Sequence, residues 1–135
     1  PVRVSAEQVI GGDGVDVVFA GTMLCPDGVV AHFDAGLALA TRDELEVAGE
    51  DGALFLDDPW HCRVPVIELR RDQGVERIEV PVADSYRLEA ENMSAAVRGQ
   101  ATPLLGRADA LGQARAIEAL YEAADSGQTV TVGRP

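Results

Sequence analysis

The sequence predicts an α+β fold, an open and mostly antiparallel β-sheet with two helices packed on one face. Apolar residues recur with period two through the first two thirds of the chain and with helical spacing in the last third. The dipeptide Asp27-Gly28 separates two of the strand-like segments. Because two helices cover only one face of a sheet with six to eight strands, we expect the other face to meet water or a partner.

The strand predictions rest on alternation and on turn residues. Asp27-Gly28 predicts a tight hairpin, since both positions tolerate positive φ. A change of phase between Val66 and Ile67 predicts a β-bulge, and Pro65 and Pro81 argue against a central place for the last two long strands. The clearest alternation runs from 29 to 40, with one face formed by Val29, Ala31, Phe33, Ala35, Leu37 and Leu39 and the other by Val30, His32, Asp34, Gly36 and Ala38.

Two helices and a short last strand complete the predicted fold. Asp84 or Ser85 can cap the first helix, which Gly99 ends. The second extends from about Arg107 to Ser126, and a strand follows at 129–132. The first helix has a stripe of Tyr86, Ala90, Met93 and Val97, and the second is predicted to bury Ala110, Ala114, Ile117, Tyr121 and Ala124, widened by Leu111 and Leu120.

Composition limits the possible partners and location. The net charge is −12 and all eleven basic residues are arginine, which argues against nucleic acid and against an anionic membrane. Cys25 and Cys62 are too few for a disulfide framework, and no apolar stretch is long enough for a membrane helix. We therefore expect one cytoplasmic domain over 1–135 with two unpaired thiols and no bound metal.

No catalytic or cofactor-binding motif is recognised in the chain. Gly11-Gly12-Asp13-Gly14 leads into a strand, whereas a dinucleotide fingerprint needs a helix to follow. A metal site on His32 with Asp34, or on the loop of Asp57, Asp58 and His61, is conceivable, but a polar sheet face and a solvated turn explain these residues better. Arg42 remains open, because it can bind a substrate hydroxyl or carboxylate or pair with Asp43 or Asp57.

The order of the segments carries a resemblance. In their order, the segments of this chain resemble the C-terminal domain of the Gfo/Idh/MocA oxidoreductases. These segments are VDVVFAGTMLCPDGVVAHFDAGLAL, then LEVAGEDGALFLDDPW, then TPLL and DALGQARAIEALYEAADSGQTVTV. The family is named for glucose–fructose oxidoreductase, inositol dehydrogenase and rhizopine catabolism. The LDDPW loop is most similar to its dihydrodiol-dehydrogenase-like branch.

The resemblance implies a two-domain enzyme with the sheet as the floor of its substrate pocket and as its dimer interface. An N-terminal Rossmann domain would hold NAD or NADP and a catalytic lysine, and a helix between the domains would carry an Asp-x-x-x-His segment. This chain has no lysine and no such segment, so no catalytic residue is carried over. By position, Thr41, Arg42, Trp60 and His61 are expected at the edge of the pocket.

Two hypotheses for function follow. In the first, the parent protein is an NAD(P)-dependent oxidoreductase of sugars, polyols or related compounds, and this chain alone binds no cofactor and is inactive. It would pair with the Rossmann domain of its own protein and form a homodimer through the open sheet face. The alternative is a free-standing binding or assembly module that uses this face. An upstream reading frame with a GxGxxG motif would decide for the enzyme.

Overall fold

The computed structural model describes residues 1–133, which form eight strands, two α-helices and one 3-10 turn at Pro26–Gly28. The strands are β1 (Arg3–Ile10), β2 (Asp16–Leu24), β3 (Val30–Gly36), β4 (Glu44–Gly49), β5 (Gly52–Asp57), β6 (Val66–Arg71), β7 (Gly74–Glu79) and β8 (Val130–Thr131). The helices are α1 (Ser85–Val97) and α2 (Arg107–Ser126). The chain divides into two compact units, one made of 1–40 with the described part of 105–135 and the other of Thr41–Leu104.

The first unit is a four-stranded antiparallel sheet, sheet A, with the order β3-β2-β1-β8. Helix α2 packs on β1 and β8. The buried core between them consists of Val4, Ala6, Phe19, Ala119, Leu120 and Ala123. The ring of Phe19 stacks on Phe33 at 6.1 Å and meets Tyr121 edge-on at 5.2 Å. A Cβ at Gly21 would lie 2.6 Å from Phe33, so only glycine allows this close approach.

The buried stripe of α2 is not the predicted one. Ala116, Ala119, Leu120 and Ala123 are buried, whereas Ile117 and Tyr121 are exposed. The rest of the predicted stripe, Ala110, Ala114 and Leu111, is exposed as well, and Ala124 is half-buried. Three alanines on the buried side let the helix lie close to a sheet surface that Phe19 already fills. Of the predicted set, only Leu120 is buried, while Ala124 packs against the core from its margin and Tyr121 contacts the ring of Phe19.

The second unit contains sheet B, an antiparallel meander with the order β4-β5-β6-β7. Residues directly opposite each other in such a ladder share a face. The register therefore places seven aliphatic side chains on one side, which we call the apolar face of sheet B: Leu45, Val47, Leu54, Leu56, Ile67, Leu69 and Ile78.

The opposite face of sheet B is charged. Arg70 lies 3.3 Å from Glu46 and 2.9 Å from Glu68, and Arg77 lies 3.0 Å from Glu68. The guanidinium of Arg70 also covers the ring of Phe55 at 3.9 Å. The paired residues alternate along each strand with the aliphatic ones, so they point to the opposite side of the sheet. One face is therefore mainly aliphatic and the other mainly charged.

The predicted bulge at Val66 is wrong. Val66 pairs with Glu79 and Ile67 with Ile78 without a shift, and the irregularity in the described sheets lies instead between Val9 and Ile10. Strand β6 begins directly after Pro65, so the change of phase falls at the start of the ladder. The strand is also internal in the sheet, which proline permits because Pro65 precedes the first residue of β6 and only its carbonyl bonds, accepting from the Val80 N–H at 3.0 Å.

The predicted α+β class with open antiparallel sheets is confirmed, but the strands form two sheets of four. The segment predicted as a strand from 29 to 40 ends as β3 at Gly36, and Leu37 is 83% exposed. The hairpin turn is confirmed, with φ of 63° at Asp27 and 81° at Gly28. One domain over 1–135 stays a prediction.

Helix α1 begins as predicted but buries no residue. The side chain of Asp84 accepts a hydrogen bond from the Arg87 backbone N–H at 3.0 Å and so caps the helix. Its apolar stripe is open to solvent, since Tyr86 is 61% and Val97 81% exposed. No helix within residues 1–133 is both long and apolar enough to cross a membrane.

Candidate functional site

The four residues expected at the pocket edge come together at one end of sheet B. Glu44 at the start of β4 pairs with Asp57 at the end of β5, and the Asp58 backbone N–H donates to the Asp43 carbonyl at 2.6 Å. Thr41 and Arg42 lead into this point and Trp60 and His61 lead away from it. The prediction that they form a pocket edge stays a prediction, but their common location is a property of the strand register.

The loop after β5 is organised around a buried carboxylate. Asp58 adopts a positive φ of 53° and is the buried charged residue of the described chain. Its Oδ2 accepts hydrogen bonds from the backbone N–H of Arg63 at 2.9 Å and from the guanidinium Nε at 2.6 Å. Its Oδ1 lies 3.0 Å from the Arg63 Nη2 and 2.8 Å from the His61 Nδ1.

These contacts keep Asp58 ionised. Hydrogen bonds from the Arg63 side chain hold the pKa of the Asp58 carboxyl far below its usual range, and the His61 contact acts in the same direction. Burial opposes this shift but does not outweigh it. The same pair raises the pKa of Arg63, which also contacts Asp43 at 3.3 Å. Arg63 therefore links the segment before β4 to the loop after β5.

His61, Trp60 and the start of α1 form the exposed side of this loop. The side chain of His61 is 41% exposed, and its ring centroid lies 5.9 Å from that of Tyr86. Trp60 is 55% exposed, and its carbonyl accepts a hydrogen bond from the Ser85 hydroxyl at 2.7 Å. The rings of His61 and Tyr86 thus lie side by side next to a loop whose polar groups are already hydrogen-bonded. We call Asp58, Trp60, His61, Arg63 and Tyr86 the Asp58 cluster.

The ligand atoms of Asp43, Asp58 and His61 lie within 4.8 Å of one another, which is short enough for a metal ion. The donor set does not fit one. Arg63 already occupies both oxygens of Asp58 and one of Asp43, and a cation would have to displace this guanidinium. We assign the group to an ion pair that holds the loop.

The glycine-rich segment does not fit a nucleotide. Residues 11–14 join β1 to β2, with the Gly11 N–H bonded to the Val15 carbonyl at 2.8 Å. A strand follows this loop, so the turn offers no helix N-terminus for a pyrophosphate. His32 lies on the open face of sheet A, as expected, with its Nδ1 3.0 Å from the Thr22 hydroxyl.

The sequence directed attention to His61 and Trp60 but not to the contacts of Arg63, Asp58 and Tyr86. Strand β6 begins only at Val66, and Arg63 before it turns back onto the loop. Tyr86 was expected in a stripe and instead contacts His61. The one available signal was a charge pair flanking Pro59 and Trp60, which is too common to predict a specific contact.

With this geometry in place, comparison with known proteins decides the family. Residues 16–132 match the family model described as the C-terminal alpha/beta domain of an oxidoreductase family, named for Gfo, Idh and MocA. The chain belongs to the Gfo/Idh/MocA oxidoreductases. The resemblance read from the sequence is therefore confirmed, and it covers all of the segments that carried it.

Relatives within the Gfo/Idh/MocA family extend well beyond this chain. An uncharacterised oxidoreductase of Rhizobium meliloti is 29% identical in an alignment of 132 positions that covers 88% of this chain and 38% of the relative. A D-xylose 1-dehydrogenase (NADP(+)) of Haloferax volcanii is 28% identical in an alignment of 134 positions that covers 96% of this chain and 41% of the relative. The chain thus spans about two fifths of the curated relatives it matches.

A solved structure shows the same fold. The aldose-aldose oxidoreductase of Caulobacter crescentus, crystallised with glycerol, superimposes with a TM-score of 0.84 at 21% identity. The match covers 97% of this chain and 41% of that protein. At this identity the likeness supports the arrangement of strands and helices of the Gfo/Idh/MocA domain and says nothing of substrate.

Proposed function

We propose that this chain is the C-terminal domain of an NAD- or NADP-dependent oxidoreductase that acts on a sugar, a polyol or a related hydroxyl or carbonyl compound. The observation that carries the proposal is the family match over residues 16–132. A relative named for D-xylose and NADP supports the substrate class and the cofactor. The reaction of the parent protein moves a hydride between the nicotinamide and a carbon that bears the hydroxyl or carbonyl group.

In this proposal the two halves of the protein have different functions in catalysis. The other half binds the nicotinamide and transfers the proton, because this chain has no lysine and its glycine-rich loop does not fit a pyrophosphate. This half forms the floor and edge of the substrate pocket, with Thr41, Arg42, Trp60 and His61 at the edge. Positioning donor and acceptor then requires both halves.

Helix α1 is the surface that we propose for the nucleotide-binding half. A helix in a small protein is normally held by an apolar stripe that packs against a neighbour. In α1 that stripe is exposed at Tyr86, Met93 and Val97. The first turn of the helix also contacts Trp60 and His61, so a domain seated on α1 would reach the Asp58 cluster.

An activity assay tests the proposal. We expect the longer protein encoded by the gene to reduce NAD or NADP in the presence of one or more aldoses or polyols, measured by absorbance of the reduced nicotinamide. The 135-residue chain alone should show no turnover and no tight binding of NAD. Turnover by the isolated chain, or an inactive longer protein across aldoses, polyols and both cofactors, would contradict the proposal.

We further propose that the apolar face of sheet B joins two copies of the protein as a homodimer. The face carries seven aliphatic side chains, and Leu45, Val47, Leu54 and Ile78 are exposed. Its charged part is the ion pair of Arg71 with Glu76 at the end next to the turn between β6 and β7. Burial of apolar area is the main source of stability in such contacts, and a sheet face can pair with its own copy about a two-fold axis. The charged face of the same sheet satisfies its own ion pairs and needs no partner.

A charge placed on the apolar face should separate the two copies. Val47→Glu changes a side chain that is 56% exposed in the monomer, so folding should be preserved. In a two-fold dimer the carboxylate enters the interface twice, and we expect the dissociation constant to rise by about 100-fold or more. Sedimentation equilibrium of the longer protein measures this change.

The neighbouring substitution Ala48→Glu is the matched control. It adds the same charge to the same strand on the opposite face, and it should leave the dimer intact. A wild-type monomer at high concentration would refute the dimer. Equal weakening by both substitutions would show that the apolar face is not the contact surface.

A further inference from the structure

We propose that His61 positions the substrate by accepting a hydrogen bond at Nε2 from a hydroxyl group of a polyhydroxylated compound, and that Asp58 and Arg63 hold the imidazole for this task. The inference rests on the proposed function and names the group within the pocket edge that would recognise the substrate. It follows from the geometry of the Asp58 cluster, whose members all belong to the second unit.

The position of the imidazole proton follows from its partner. The Asp58 carboxylate is ionised and can only accept, while His61 Nδ1 lies 2.8 Å from its Oδ1. Arg63 Nη2 also lies 3.5 Å from Nδ1, but the contact with Asp58 is shorter, at 2.8 Å. A neutral imidazole that donates to Asp58 carries its proton on Nδ1 and has its lone pair on Nε2. A carboxylate that fixes the orientation of a histidine in this way is a recurrent means of presenting the second nitrogen.

The carboxylate is itself held in place. Three groups of Arg63 bind the two Asp58 oxygens, and the Asp58 carbonyl accepts from the Cys62 N–H at 3.1 Å. The residue below the imidazole is buried, whereas 41% of the His61 side chain is exposed. The imidazole is thus held through Nδ1 by a buried carboxylate while part of its side chain remains exposed.

The surroundings of His61 suit a molecule with both hydroxyl groups and C–H faces. Tyr86 lies beside the imidazole at a tilt of 58°, and its ring is largely exposed. Trp60 precedes His61 and presents an exposed indole. Aromatic rings provide rigid apolar contact area at low entropic cost, and polar groups between them give orientation. Aldoses and polyols offer both kinds of surface.

If His61 only supported the fold of the loop, its substitution would affect all substrates alike. Two substitutions of His61 distinguish this structural role from substrate binding. In His61→Asn the amide nitrogen can replace Nδ1 as the donor to Asp58, but nothing replaces Nε2. In His61→Phe the ring and its contact with Tyr86 remain while both nitrogens are lost. The matched control is His32→Asn, which removes the other histidine of the chain from the first unit.

The test uses the full-length enzyme with the sugar of highest kcat/KM in the activity assay and its monodeoxy analogues. We expect His61→Asn and His61→Phe to lower kcat/KM for the sugar by about 3- to 10-fold, the value of one hydrogen bond. The KM for the nicotinamide should not change, and His32→Asn should behave as wild type. One deoxy analogue should be used equally well by wild type and by both His61 variants.

Other outcomes overturn the inference in distinguishable ways. Wild-type kcat/KM in His61→Asn would show that Nε2 binds nothing. A uniform loss across the sugar and all deoxy analogues would show that His61 only supports the fold of the loop. If the wild-type enzyme is inactive with every sugar, polyol and cofactor, the proposed function fails and the role of His61 falls with it.

Discussion

Replacing Phe19 with alanine should lower the free energy of unfolding by about 3–5 kcal/mol, the usual cost of removing a buried aromatic side chain. Phe19 is buried between sheet A and α2 and contacts both Phe33 and Tyr121. The remaining core is built mainly from alanine, which cannot move to fill the space. Since whole domains are stable by about 5–15 kcal/mol, this one change should remove a large share of the free energy of unfolding.

Urea unfolding followed by circular dichroism measures the effect. Leu37→Ala is the control, because Leu37 is a large aliphatic residue that is exposed after the end of β3. Its removal should change stability by less than about 0.5 kcal/mol. Equal effects of the two substitutions would mean that the core between sheet A and α2 does not hold the first unit together.

Replacing Asp58 with asparagine should release the loop after β5. Asparagine tolerates the positive φ at this position, so the backbone conformation is not the cause of any loss. The substitution leaves Arg63 without its carboxylate partner. It also replaces one of the two acceptor oxygens with an NH2 donor, so the contacts of Arg63 and His61 can no longer all be made. We expect the thermal midpoint of the wild type to exceed that of Asp58→Asn at neutral pH, and limited proteolysis to cut the variant first between 58 and 63.

The difference between wild type and Asp58→Asn should depend on pH. Because the pKa of Asp58 is depressed in the folded protein, folding favours its ionised form. This contribution is complete above the ordinary carboxyl pKa of about 3.9 and is lost as the pH falls below that value. Thermal midpoints measured at pH steps from neutral into the acid range should therefore converge.

Asp51→Asn is the control for the loss of one acidic charge, since Asp51 lies in the exposed turn between β4 and β5. Its thermal midpoint should run parallel to that of the wild type over the same pH steps. A constant gap between wild type and Asp58→Asn down to the acid end would show that the ion pair with Arg63 does not stabilise the loop.

The sequence predicted those parts of the fold that depend on neighbouring residues. The turn at Asp27-Gly28 needs two positive φ angles, and the cap at Asp84 needs one short acid before a helix. Both are decided by a few residues and both are confirmed. Strand β3 ends before Leu37, and Val66 pairs without a bulge. Both features depend on which strands are neighbours in the sheet, and the alternation of apolar residues does not show which strands pair.

The side of α2 that is buried was harder to predict. Ile117 and Tyr121 are the larger apolar residues and were expected inside, yet the smaller Ala119 and Ala123 face the sheet. The choice depends on the volume already taken by Phe19 and Phe33 on the facing strands. A hydrophobic pattern shows which side chains are apolar. It does not show which of them fit the space left in a closely packed core.

The sequence singled out the loop of the candidate site but did not predict the contacts within it. The LDDPW segment pointed to Trp60 and His61, and the register of β4 with β5 brings Thr41 and Arg42 to the same end. The contact of Arg63 with Asp58 depends on a loop that turns back on itself after Pro59. No spacing rule describes such a loop, so the carboxylate that organises it could only be recognised in three dimensions.

The discontinuous first unit also determines when sheet A can be completed during synthesis. Gln8 and Asp125, joined by a hydrogen bond, stand 117 positions apart, and the helix α2 and the strand β8 that pack on β1 are synthesised after residues 41–104. During translation of Thr41–Leu104, the apolar side chains of Val4 and Phe19 therefore remain exposed, because α2 has not yet been synthesised. The nascent chain should be a strong client for chaperones that bind exposed aliphatic segments until α2 emerges from the exit tunnel.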